Sequence, residues 1–131
     1  MSARILFVEY HSAFRQSASY MVDREDELEV VAQAGSVAEG REEMARGGID
    51  AAVVDVPLPD EGAAEFVRDL VDPNPSIPVL VFTHPEDEMV RERFLRAGAR
   101  EVLPKSVGLG ELLAAVRRLG REAEEEQAEA G

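Results

Sequence analysis

Residues 51–62 read AAVVDVPLPDEG. Four apolar residues, Ala51 to Val54, run unbroken into Asp55, and a loop carrying Pro57 and Pro59 follows. A short continuous apolar run fits a strand buried on both faces better than one with a wet side. The segment therefore predicts a carboxylate at the carboxyl end of a buried strand. Upstream, the same form recurs as Ile5-Leu6-Phe7-Val8 followed by Glu9. Downstream it recurs as Ile77 to Phe82 followed by Thr83-His84, and as Glu101-Val102-Leu103 followed by Pro104-Lys105. Leu28 to Ala32 is a further strand of this kind.

Helical spacing fills the intervals. Phe14, Ala18, Met21 and Val22 mark a first helix, and Ser36 caps a second that reaches about Arg46 and stops at Gly47-Gly48. Ala63, Phe66, Val67 and Leu70 mark a third, closed by Asp72-Pro73-Asn74-Pro75. Met89, Val90, Phe94 and Leu95 mark a fourth that ends near Gly98, and Leu109, Leu112, Leu113, Val116 and Leu119 a fifth. The pattern predicts an α/β fold in which five β-α units form a parallel sheet covered on both faces. In such sheets the loops after the strands form the binding crevice.

Composition narrows the function classes. The chain has 131 residues, 14 Lys and Arg against 27 Asp and Glu, and a net charge of −13. That length suits one domain, expected over residues 1–120. No cysteine is present, which excludes a disulfide framework, a thiolate metal site and a cysteine nucleophile. Two histidines are too few for a histidine-built metal centre. The acidic balance argues against direct nucleic-acid binding and against an anionic membrane surface. No apolar run approaches the ~18 residues of a spanning helix, and the N-terminus does not read as a signal peptide, so a cytoplasmic protein is expected. Residues 121–131 carry five glutamates against one arginine and are expected to be an acidic tail or a solvated extension of the last helix.

The strand-end loops carry the chemistry. Glu9 and Asp55 are expected on neighbouring strands, where two carboxylates repel unless a divalent cation or a cationic side chain sits between them. Oxygen ligands of this sort favour Mg²⁺ over softer metals. Lys105 supplies a compact positive charge and Thr83 a hydrogen-bond donor. Together these groups suit a phosphoryl group transferred onto Asp55.

In this order and spacing the chain resembles the response-regulator receiver domain (CheY-like, of the NarL/FixJ type) over about residues 3–120. The segments that carry the likeness are ILFVEYHSAFRQS, ELEVVAQAGSVAEG, AAVVDVPLPDEG, IPVLVFTHPEDE and RAGAREVLPKS. The resemblance implies a flavodoxin-like sheet of order 2-1-3-4-5 and a role in two-component signalling. It implies that Asp55 is the phosphoacceptor for a histidine kinase, and that Thr83 and Lys105 bind the transferred group. It further implies that Glu9, Asp55 and the backbone carbonyl of Pro57 are the Mg²⁺ ligands. It also implies a partner or homodimer surface on the fourth and fifth units. No DNA-binding domain lies in these residues, which would be a stand-alone receiver or the receiver portion of a longer regulator.

The chain departs from the family pattern at several positions. Tyr10 stands where the family has its second acidic residue, so one carboxylate is lost from the metal site and Mg²⁺ binding is expected to be weak or absent. His84 replaces a small residue on the path of the phosphodonor, and Val102 replaces the aromatic switch residue. Gly62 comes one residue early in the loop after Asp55. Pro57 and Pro85 flank the pocket without a side chain that could place a water, so hydrolysis of a phosphorylated Asp55 is expected to be slow. The alternative is a pseudo-receiver, an interaction module that works without phosphorylation, and Tyr10, His84 and Val102 favour it. Plainer readings stand beside these. Asp55 could cap the next helix, and Lys105 could simply pair with Asp55. Glu9 could bond a nearby donor. Tyr10 could either reach into the pocket or swing outward onto the first helix. His11 reads as a helix-start residue. A flavin or nucleotide site lacks support, because Glu9-Tyr10-His11-Ser12 contains no glycine to admit a phosphate.

Overall fold

A computed structural model describes residues 2–56, 62–83 and 88–130. The chain alternates β1 (Ala3–Val8), α1 (Ser12–Asp23), β2 (Leu28–Ala34), α2 (Val37–Ala45), β3 (Ala51–Val56), α3 (Ala63–Val71), β4 (Val79–Thr83), α4 (Glu88–Ala97), β5 (Glu101–Pro104) and α5 (Leu109–Ala130). All strand pairs are parallel and the sheet order is β2-β1-β3-β4-β5. This is the expected flavodoxin-like arrangement.

Because successive side chains of a strand point to opposite faces, each apolar run serves two cores. Leu6, Val8, Val54 and Val81 face one layer, where α3 and α4 contribute Phe66, Val67, Leu70 and Phe94. Ile5, Phe7, Val53, Leu80 and Phe82 face the other, against Ala18 and Val22 of α1 and the α5 stripe Leu112, Val116, Leu119 and Ala123. Burying a side chain of this size contributes ~1.5–3 kcal/mol, so both helical layers are fixed by the same strands that end in the polar loops.

Local signals account for the helix boundaries. Ser36 Oγ accepts from the Glu39 amide at 3.1 Å, and Glu39 Oε2 accepts from the Gly35 amide at 2.9 Å, which satisfies two free donors at the start of α2. Gly47 and Gly48 take φ of +79° and +78° after it, a turn that costs side-chain-bearing residues energy. Gly40 serves close packing instead, since a Cβ there would stand 2.6 Å from Phe66 Cζ.

Several strand boundaries differ from the sequence expectation, and the acidic segment takes the helix-extension reading of the two offered for it. β2 continues to Ala34 because Gln33 and Ala34 stay in register with Phe7 and Val8. β4 begins at Val79 rather than Ile77, because the Ile77 amide closes a turn onto the Asn74 carbonyl and Pro78 has no amide to pair. α5 runs on through the acidic segment to Ala130. Ala123 continues the buried stripe four residues after Leu119, Arg100 pairs with Glu122 at 3.1 Å and Glu126 at 2.9 Å, and Gln127 donates to Asp50.

Candidate functional site

Glu9 follows the last residue of β1, and Asp55 is the fifth residue of β3. The two strands are neighbours, with Val8 paired to Val54, so both carboxylates come to the same rim of the sheet. Both side chains are buried, Glu9 at 2% and Asp55 at 1% exposure. Asp55 lies within the strand and the N-cap of α3 is Gly62, so the helix-capping reading of Asp55 does not hold.

Lys105 follows β5 and forms an ion pair with Asp55 Oδ1. Its ammonium also stands 6.0 Å from the centroid of the Phe82 ring, a cation–π contact that holds the stem over the sheet edge. Thr83 ends β4, one register step beyond Phe82, the partner of Asp55. It is buried, and its carbonyl accepts from the Lys105 amide at 3.0 Å. Glu9, Asp55 and Lys105 line one pocket of about 330 Å³, whereas Thr83 lies on the same rim but is not part of the pocket wall. Pro57, His84 and Pro85 lie outside the described residues, so the carbonyl ligand and the two flanking positions are not placed. Val102 is buried in the layer that contains Phe94.

Burial pushes the Asp55 carboxyl up from an ordinary 3.8 to about 7. Desolvation is the largest cause; the hydrogen bond from Lys105 opposes it, and the nearby Glu9 carboxyl adds to it through hydrogen bonding and charge. The site thus holds more negative charge than one lysine neutralises.

Glu9 is fixed by contacts that sequence reasoning did not supply. The His11 amide donates to Glu9 Oε1 at 3.2 Å and His11 Nδ1 stands 3.1 Å from the same oxygen. Arg15 Nη1 donates to the Glu9 carbonyl at 2.7 Å, and the Glu9 amide donates to the Ala34 carbonyl at 2.8 Å. His11 is also the N-cap residue of α1, as its place in the sequence suggested. The one available signal for Arg15 was its position one turn into α1, on the side facing β2. Glu9 Oε2, in contrast, is buried beside the Asp55 carboxyl and receives no hydrogen bond from a donor group. An orphaned carboxylate oxygen beside a second carboxylate is the donor chemistry that a hard divalent cation such as Mg²⁺ takes. The residues therefore fit such an ion, although no group of three acidic or histidine side chains converges among the described residues. Tyr10 adds nothing to this set. It is 54% exposed, with its ring edge-on to His11 at 5.3 Å between centroids, and it does not line the pocket.

A buried aspartate with a paired lysine, a neighbouring acid and a strand-end hydroxyl thus stand on one rim of a 2-1-3-4-5 sheet. The chain belongs to the response regulator receiver domain family, whose model matches residues 5–117. It is a two-component receiver, and domains of this family generally signal rather than act as enzymes. Among curated proteins, response regulator GacA of Pseudomonas viridiflava is 33% identical over 114 residues, covering 87% of this chain and 53% of the relative. The DNA-binding transcriptional activator DevR/DosR of Mycobacterium tuberculosis is 34% identical over 118 residues, covering 89% and 54% respectively. The chain spans about half the length of these relatives. A CheY-like receiver domain from Methanospirillum hungatei shares the fold with a TM-score of 0.84 at 24% identity, covering 96% of this chain and 99% of that one. No helix among the described residues is long and apolar enough to cross a membrane.

Proposed function

We propose that Asp55 is a phosphoacceptor for a histidine kinase, in a cytoplasmic two-component pathway. The observation that carries this reading is the ion pair of buried Asp55 with Lys105, beside a Glu9 Oε2 that receives no hydrogen bond from a donor group. In the transfer, a carboxylate oxygen of Asp55 attacks the phosphorus of a phosphohistidine. The new O–P bond forms as the P–N bond breaks, and the imidazole leaves with the electron pair. Lys105 moves from the carboxylate to the phosphoryl oxygens, and the Thr83 hydroxyl donates to one of them. Mg²⁺, held by Glu9, Asp55 and the Pro57 carbonyl, would neutralise charge on the transferring group. Tyr10 leaves that metal site one carboxylate short, so Mg²⁺ binds weakly and transfer is slow. Residues 1–120 are the signalling unit, the acidic end of α5 is its extension, and the α4–β5–α5 face is where a second copy docks.

The test is incubation of the chain with a small-molecule phosphodonor at increasing Mg²⁺, with Asp55→Asn as control. Mg²⁺-dependent labelling that the variant abolishes is expected. Absence of labelling at saturating Mg²⁺ would leave the pseudo-receiver reading, which the exposed Tyr10 and the buried aliphatic Val102 favour.

A further inference from the structure

A buried carboxylate beside a second carboxylate gains by turning out to water, so something must hold Glu9 in the cleft. Its side chain is secured at one oxygen only, by the His11 amide at 3.2 Å and by His11 Nδ1 at 3.1 Å. Both groups belong to a residue two positions on, which travels with Glu9 if the loop moves. An anchor that resists the repulsion has to come from another element.

Glu9 has such an anchor at its main chain. Its amide donates to the carbonyl of Ala34, the last residue of β2, at 2.8 Å. Its carbonyl accepts from Arg15 Nη1 at 2.7 Å. The guanidinium is lodged against the residue after Ala34: a Cβ on Gly35 would stand 2.9 Å from Arg15 Nη1 and 3.8 Å from the Glu9 carbonyl oxygen. Gly35 is itself tied down, its amide donating to Glu39 Oε2 at 2.9 Å. The end of β2 therefore grips both main-chain groups of Glu9, one directly through Ala34 and the other through Arg15 resting on Gly35. This is a costly use of an arginine. It donates to a neutral carbonyl, and its Nε is buried without a partner. An unsatisfied buried donor opposes folding, so general stability does not explain the arrangement.

We propose that Arg15 is a positioning residue: lodged against Gly35, it pins the Glu9 main chain to the end of β2 and so keeps the Glu9 side chain beside Asp55. Gly35 is the other half of the clasp, because a side chain there would push the guanidinium off the Glu9 carbonyl. What the clasp serves rests on the phosphoacceptor reading, since a carboxylate held against a second one suits a divalent cation. The pinning itself does not depend on that reading. An arginine acting through charge alone would repel Mg²⁺, so its loss would tighten the ion, whereas loss of a pin loosens it.

The experiment compares Arg15→Met, Gly35→Ala and the double variant with the unmodified chain. Gly35 does not take positive φ, and the atom an alanine would displace is the far end of a flexible side chain, so this substitution disturbs little else. Without metal, hydrogen exchange at the Glu9 and His11 amides is expected to run about tenfold faster in each single variant, while the Val53 amide in the core of β3 exchanges as before. The double variant should be no faster than either single one, because both substitutions remove the same contact. In a Mg²⁺ titration followed at the amide signals around Asp55, the dissociation constant should rise about tenfold in both single variants. Unchanged exchange at Glu9 and His11, additive effects of the two substitutions, or tighter Mg²⁺ binding on loss of Arg15 would each overturn the proposal. Should Arg15→Met fail to fold, Gly35→Ala decides it by the same readouts. If the unmodified chain takes up no Mg²⁺, the metal side of the phosphoacceptor reading fails, and amide exchange still decides whether Arg15 pins Glu9.

Discussion

The two rims of the sheet handle charge in opposite ways. At the amino ends of the strands, Asp50 accepts from the Arg4 amide and from Gln127, and Arg100 spans Glu122 and Glu126. These groups stand in water or near it, and each of them has a hydrogen-bond partner. At the carboxyl ends, Glu9 and Asp55 are buried together, Lys105 pairs with Asp55, and Glu9 Oε2 receives no hydrogen bond from a donor group. The first rim holds α5 in place at little energetic risk. The second stores electrostatic destabilisation, and such storage marks sites kept for binding or chemistry rather than for stability.

The contrast can be broken most sharply at Lys105. Lys105→Met leaves the Asp55 carboxylate buried and unpaired, and should cost about 3 kcal/mol at pH 8. The loss should shrink near pH 5, where Asp55 holds a proton. Denaturant titrations at the two pH values check this, and an equal loss at both would show that the pairing carries no weight.

Asp55→Asn should move stability the other way. A carboxyl raised to about 7 binds its proton more tightly in the folded chain than in the unfolded one. The contribution of Asp55 to stability is therefore fully favourable below pH ~4, declines as pH rises from ~4 to ~7, and stays at its minimum above that. The asparagine variant should lose that slope, gaining on the order of 4 kcal/mol above pH 7 and almost nothing at pH 4. Stability curves of the two proteins against pH would show it, and parallel curves would refute it.

Tyr10→Asp sharpens the comparison from the side of the metal. A second exposed-edge carboxylate beside Glu9 should tighten Mg²⁺ about tenfold, read by a Mg²⁺ titration of the amide signals around Glu9 and Asp55. The smallest effect belongs to the opposite rim. Arg100→Ala removes two partly exposed pairs and should cost less than ~1 kcal/mol, a loss that high salt removes. A change larger than the one at Lys105 would reverse the ranking of the two rims.

Much of this was legible in the residues themselves. The strands announce themselves as unbroken apolar runs because a parallel sheet buries both faces, and each run ends on the residue that the loop presents. That logic brings Glu9, Asp55, Thr83 and Lys105 to one rim. It does not reach side chains that act across elements. Arg15 binds the Glu9 carbonyl from one turn into α1, and Phe82 lies beneath Lys105 from a neighbouring strand. Neither contact leaves a periodic trace. The acidic segment after Gly120 reads as solvated because its glutamates outnumber its apolar residues. Its helicity comes from Ala123 and from Arg100 on another element, and pairing at that sequence distance is invisible to local pattern.

The most direct measurement of the central claim, that the carboxyl rim buries more negative charge than it neutralises, is the titration of the Asp55 side-chain carboxyl by ¹³C NMR with and without Mg²⁺. The expected midpoint is about 7 in the metal-free chain, moving down as Mg²⁺ is added. A midpoint near the ordinary 3.8, indifferent to Mg²⁺, would contradict it.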